Sequence, residues 1–211
     1  MRDLHTNHLS ASANTLPLCQ GLLFILVGPA GVGKNSIMHG VLDTFSTVRQ
    51  MPTATTRAIR STEQQGREHW FVTPETFQQM IANRDLIEYE EVYPGKFYGT
   101  PRQQIEEALH RDHQLLIADI DYVGASKLKE ALTESVILIF VQPPTLEVLN
   151  ERLHMRGQMS EQEIATRLAR APIELEFAAR CEYRVTNTLL ADAIQQVIGI
   201  IKGEAERHGC V

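Results

Sequence analysis

The sequence predicts an α/β chain, a mostly parallel sheet wrapped by helices. Three observations carry this. Strand-like and helix-like segments alternate along most of the 211 residues, the order that packs helices over a parallel sheet. The strand-like runs are continuously apolar, as strands covered on both faces must be. The first of them passes through a glycine-rich turn directly into a helical pattern.

Residues 1–20 are polar from His5 to Asn14 and offer no small-residue cleavage site, so they read as a flexible extension rather than a signal peptide. Gly21–Val27 is the first buried strand; its apolar run, Leu22–Val27, is far too short to cross a bilayer. A helix over 36–45 follows, with Ile37, Val41 and Leu42 at helical spacing. Residues 53–100 break the alternation; rich in Thr, Arg, Gln and Tyr, they read as a small lobe. The rhythm resumes with a helix over 101–111, a strand at 115–120, a helix over 122–132 and a strand at 136–141. Helices over 145–155 and 160–180, a short strand at 183–185 and a helix over 189–206 complete it. Thr100-Pro-Arg-Gln103 and Ser160-Glu-Gln-Glu163 both fit capping boxes. In the last helix Leu190, Ala193, Ile194, Val197 and Ile201 form one apolar face, which reads as core packing rather than a membrane or partner helix.

Apolar residues at 43% exclude a wholly disordered chain. A net charge of −6 argues against a non-specific nucleic-acid binder. Cys19, Cys181 and Cys210 share no metal-ligand spacing, so no disulfide framework is expected and a reducing cytoplasm is the default. His110 and His113 lack a third ligand for zinc, and no Ser-His-Asp or Cys-His arrangement stands out.

Gly28-Pro29-Ala30-Gly31-Val32-Gly33-Lys34-Asn35 fits the P-loop pattern, set between a buried strand and a helix. Its backbone N–H groups and the helix N-terminus that follows would receive phosphate oxygens, and Lys34 would bridge the β- and γ-phosphates. The alternative is a glycine turn that happens to hold a lysine. Asn35 stands where a metal-touching hydroxyl is expected, and Ser36 points about 100° away around the helix. Mg²⁺ could instead be held by phosphates, water and a carboxylate.

With this loop come Thr55-Thr56-Arg57-Ala-Ile-Arg60, Ile87-Glu88, Phe97-Tyr98-Gly99-Thr100, Asp119-Ile-Asp121, Arg152-Leu-His-Met-Arg156-Gly157, Arg167-Leu168 and Val185-Thr186-Asn187, in that order. The P-loop alone is shared by many families; the ordered set from about Leu22 to Ile201 resembles guanylate kinases. The resemblance implies a P-loop NTPase fold over 21–206 with a tail at 207–211. The core would be 21–52, 101–151 and 183–206, the inserted GMP-binding lobe 53–100 and the helical lid 152–182. It also implies Mg²⁺-dependent transfer of the ATP γ-phosphoryl group to GMP or dGMP.

The same resemblance assigns residues. Arg57 and Arg60 would grip the GMP phosphate with their forked guanidinium groups, joined by the Tyr98 hydroxyl. His69 stands where the family has a tyrosine; an imidazole can donate to phosphate, though a residue packed at the surface beside Trp70 is the alternative. Glu88 would accept the guanine N1–H and exocyclic amine, a pairing that adenine cannot make; otherwise it is one solvated acid beside Glu90 and Glu91. Thr100 would meet guanine O6, with help from Thr53, unless it is simply a helix cap. Pro94 reads as a one-residue insertion near the base. Asp119 would face the P-loop and the metal's water, and Asp121 the GMP side; the alternative is a pair of acids capping the next helix. Arg152, Arg156 and Arg167 would come over the phosphates from the lid and stabilise charge on the transferring group. For these arginines the alternative is surface pairing, for instance Glu163 with Arg167 at i, i+4; Arg170 reads as surface pairing, and Asn187 as a nucleotide-side residue. Two rival readings are a ribose 1,5-bisphosphate phosphokinase and a non-catalytic module that binds a phosphopeptide.

Overall fold

The structure, a computed structural model, describes residues 21–61, 63–93, 95–155 and 160–210. Strand β1 (Leu22–Val27) lies at the centre of a five-stranded parallel sheet. The order is β2 (Val48–Gln50), β7 (Leu115–Asp119), β1, β8 (Val136–Gln142) and β9 (Tyr183–Thr186). Every neighbouring pair runs parallel. All six residues of β1 are buried because period two sends them to two cores. Leu22, Phe24 and Leu26 pack with α1 (Lys34–Thr44), α5 (Leu146–Met155), α6 (Glu161–Glu176) and α7 (Leu190–Arg207). Leu23, Ile25 and Val27 pack on the other side with α3 (Arg102–Glu106) and α4 (Tyr122–Leu132). The C-terminal ends of β1, β7 and β9 thus deliver Gly28, Asp119 and Asn187 to one edge of the sheet, where open α/β sheets hold ligands.

Residues 53–101 build a second sheet of four strands. Its order is β4 (His69–Phe71), β3 (Thr53–Thr55), β6 (Lys96–Pro101) and β5 (Leu86–Tyr93). Helix α2 (Pro74–Ala82) covers it, capped by the Thr73 hydroxyl on the Thr76 N–H and entered through Pro74, which has no N–H to leave unpaired. A small core of Ala54, Phe77 and Leu86 joins the sheet to that helix.

Several sequence expectations change. The helix over 101–111 divides into α3 and a π-helical turn, Glu107–Arg111. Its cap position is Pro101, with no side-chain cap, so Thr100 closes no capping box. The hydroxyl has a stronger, buried acceptor in Glu88. The run over 160–180 ends as a helix at Glu176 and tightens into a 3₁₀ turn, Phe177–Arg180. At Ser160 the capping box is complete: Ser160 Oγ accepts from Glu163 N–H, and Glu163 Oε2 accepts from Ser160 N–H at 2.8 Å. That carboxylate therefore serves the cap first; the Ser160 bonds lower it, and the Arg167 charge adds to the same shift. Cys181 is a free thiol, pushed up to about 12 by burial. The N-terminal extension, Pro94 and Arg156 lie outside the described residues. Among the described residues no helix is long and apolar enough to cross a membrane.

Candidate active site

The loop between β1 and α1 is built by backbone geometry. Gly33 has φ +101°, in the left-handed region, and a Cβ there would stand 2.5 Å from Asn187 Nδ2. A Cβ on Gly28 would meet the Val141 carbonyl oxygen at 2.1 Å. Only glycine fits either position. Helix α1 starts at Lys34 with no side-chain cap and no acid in its first turn, which leaves its first N–H groups to an anion. Lys34 Nζ donates to the carbonyls of Gly28 (2.8 Å) and Pro29 (3.4 Å) and stands 3.6 Å from Asp119 Oδ1. Asn35 and Ser36 are exposed at the start of that helix. Val32 is held from behind, its carbonyl accepting from Asn187 Nδ2 at 2.8 Å.

Lys34 opens onto a cavity of about 470 Å³ reaching from Gly28 and Ala30 to Thr53, His69, Glu88 and Tyr98 of the second sheet, with Asp119 and Asp121 along its floor. Thr100 Oγ1 donates to Glu88 Oε1 at 2.6 Å. Glu88 is 9% exposed. Burial pushes its carboxyl above the ordinary carboxylate range, the Thr100 bond opposes the shift, and the Asp121 charge adds to it. Asp121 caps α4, accepting from the N–H groups of Val123 (2.7 Å) and Gly124 (3.1 Å). The capping alternative therefore describes Asp121, which still lines the cavity; Asp119 faces Lys34 instead.

The corner formed by Thr53, His69 and Tyr98 is polar. Thr53 Oγ1 and His69 Nδ1 lie 2.8 Å apart across the parallel β3–β4 register. The His69 ring meets Tyr98 edge to face at 5.8 Å. Burial, then the Arg57 charge, holds His69 below its ordinary value. Arg57 Nε donates to the Tyr98 hydroxyl at 3.1 Å. Its Nη1 donates to Ala58 O and Glu63 Oε2, and its Nη2 to Glu63 Oε1, both carboxylate bonds at 2.7 Å. A guanidinium has five N–H groups, so one on Nη2 is left. Arg57 lowers the Glu63 carboxyl to about 2, and Arg57 is itself pushed above its usual value, chiefly by Glu63. Arg60 is exposed, and its backbone N–H also binds Glu63.

The helical arginines divide. Arg167 faces a second cavity of about 520 Å³ with Ala30, Ser160 and Thr166. Arg152 does not line either cavity; its Nη2 donates to the Asn187 carbonyl at 2.9 Å. Arg152 Nη1 and Asn187 Oδ1 are buried without a hydrogen-bond partner among the described residues. Arg170, read from sequence as surface pairing, lines both cavities, as does Glu174. Burial raises the Glu174 carboxyl, Lys34 and Arg170 pull it back, and it accepts the Ala30 N–H. The sequence reading missed Glu90 and Glu174 as cleft residues and Glu63 as the partner of Arg57. Arg167, Arg170 and Glu174 sit at i, i+3 and i+7, one helical face, and that spacing was the available signal.

A sequence profile described as guanylate kinase matches residues 20–204. The chain is 40% identical over 187 residues to a guanylate kinase of Synechocystis sp., covering 89% of this chain and 96% of that one. It is 40% identical over 181 residues to the Bordetella pertussis guanylate kinase, covering 86% and 83%. A crystal structure of guanylate kinase from Anaplasma phagocytophilum superposes with a TM-score of 0.68 at 27% identity, covering 88% of this chain and 87% of that one.

Proposed function

The chain belongs to the guanylate kinase family, and from that premise we propose which of its residues move the γ-phosphoryl group of ATP onto GMP. The observation that carries the reading is a single cavity walled by the P-loop lysine, a polar corner and a buried carboxylate. The loop from Gly28 to Ser36 and the first turn of α1 receive the ATP phosphates. Lys34 exchanges its loop carbonyls for the β- and γ-phosphates. Glu88 accepts guanine N1–H and the exocyclic amine. Thr100 has one hydroxyl proton, which serves Glu88 in the free protein and turns to O6 when the base arrives. Thr53 holds His69, which with Tyr98, Arg57 and Arg60 binds the GMP phosphate, and Asp121 lines the same side. Glu63 positions Arg57.

Arg152, Arg156 and Arg167 neutralise charge on the phosphates from the lid side. The unpaired Arg152 Nη1 and Asn187 Oδ1 support a nucleotide contact at that end. No cluster of three His, Cys, Asp or Glu among the described residues would hold an ion unaided. A Mg²⁺ ion that keeps its waters and phosphate oxygens fits this donor set, with Asp119 holding it through water and Asn35 exposed nearby. When bound, such an ion would supply positive charge to the phosphates. Catalysis then rests on positioning and charge, with no covalent intermediate on the protein. The compartment we propose is the reducing cytoplasm that the cysteine usage leads one to expect.

A ribose bisphosphate offers no base for Glu88 to meet, and a phosphopeptide-binding module has no use for a formed P-loop. The test is ADP release from ATP and Mg²⁺ with GMP, AMP, UMP or ribose 1,5-bisphosphate. Turnover with GMP is expected. Turnover confined to the sugar bisphosphate, or silence with all four, would overturn the reading.

A further inference from the structure

The two cavities of the cleft share a wall made of Ala30, Arg170 and Glu174. Lys34 of the P-loop and the His69–Tyr98 corner both line the 470 Å³ cavity, so this wall borders the space between phosphoryl donor and acceptor. Arg170 is exposed in this wall, one turn before Glu174 on α6. Across the cleft Glu90 lines the same cavity from β5, opposite Tyr98 in the β5–β6 register and two residues beyond Glu88. Burial and Asp121 raise the Glu90 carboxyl, and the Arg170 charge pulls it back. Arg170 thus shares one cavity with carboxylates from two elements, Glu174 on its own helix and Glu90 on the second sheet.

We propose that Arg170 is a further catalytic residue: its guanidinium contacts the phosphoryl group in transit, steered across the cleft by Glu90. This rests on the cleft being the site of ATP-to-GMP transfer. In that step a GMP phosphate oxygen bonds to the γ-phosphorus, the bond from that phosphorus to the bridging oxygen breaks, and its electron pair stays on ADP. Arg170 exchanges no proton; it meets negative charge spread over the equatorial oxygens, as Glu90 and Glu174 do for it beforehand.

The test compares Arg170→Gln, Arg170→Lys, Glu90→Gln and the double variant Glu90→Gln/Arg170→Gln, with Arg167→Gln and Lys34→Met as markers of the cleft itself. Thermal melting checks folding, which an exposed position leaves intact. Arg170→Gln should lower kcat by roughly 10²- to 10³-fold with both KM values within about threefold, and Arg170→Lys should recover part of the loss. Glu90→Gln should lower kcat in the wild-type background and add nothing in Arg170→Gln. A wild-type kcat in Arg170→Gln, or a loss expressed only in KM for ATP, would overturn the catalytic role. Equal losses from Glu90→Gln in both backgrounds would overturn the steering. Activity surviving in both markers would instead overturn the reading of the cleft.

Discussion

Replacing Glu88 by Gln should separate activity from stability in opposite directions. The carboxylate is 9% exposed and already accepts the Thr100 hydroxyl. A glutamine keeps one acceptor oxygen and turns an NH₂ toward guanine's own donors. One charge-assisted hydrogen bond is lost, about 1.5–3 kcal/mol, and one buried donor is left unpaired, about 1–3 kcal/mol. Together these lower kcat/KM for GMP by roughly 10²- to 10⁴-fold. Folding responds the other way. Burial raises the Glu88 carboxyl in the folded protein, so stability falls as pH rises from the ordinary carboxylate value through the raised one. The amide removes that cost. At neutral pH the variant should melt at or above the wild-type temperature, and the difference should close below about pH 4, where folded and unfolded chains both hold the acid protonated. Initial rates at saturating ATP with varied GMP, beside melting curves at both pH values, measure the two effects. An unchanged GMP preference over AMP, or a melting temperature that drops at neutral pH, would refute this account of Glu88.

Three further outcomes are expected. Lys34→Met should remove at least about 10³-fold of kcat while keeping the melting temperature, and wild-type-like turnover would refute the role of the P-loop lysine. His69 is held below its ordinary value, so it is neutral near pH 7.5 and gains charge only below about pH 6.5. The KM for GMP should therefore fall toward acid pH more steeply in the wild type than in His69→Tyr, and matching profiles would remove the imidazole from phosphate binding. Ser160→Ala breaks the capping box at about 1 kcal/mol. Amide exchange in the first turn of α6 should then speed up by about fivefold, and unaltered exchange would show that the box does not hold that end of the lid.

The elements legible in the sequence were those whose determinants are local. Leu22–Val27 announces a strand covered on both faces because each of its side chains is apolar, and both cores use it. The P-loop is legible because its glycines answer to their own backbone angles. Thr100 failed as a cap because its hydroxyl partner, Glu88, comes from a neighbouring strand twelve residues earlier. Arg170 failed because i, i+4 pairing describes an isolated helix, and only packing decides which helical face meets a cleft. Glu63 stayed hidden in a stretch rich in polar residues. Its value lies in the angle at which a turn presents it to Arg57, and no periodicity records that.

Asn187 reaches back 155 residues to hold the Val32 carbonyl, and this separation sets an order of events during synthesis. Strand β9 is the last strand of the parallel sheet in chain order and lies at its edge. Until the ribosome has released it, the loop that will cradle ATP has its glycines in place but nothing behind them. A nascent chain ending before Asn187 can assemble β1, β7 and β8, since domains fold as their segments emerge, yet it lacks the strut under its phosphate site. Nucleotide affinity is thus expected to come late.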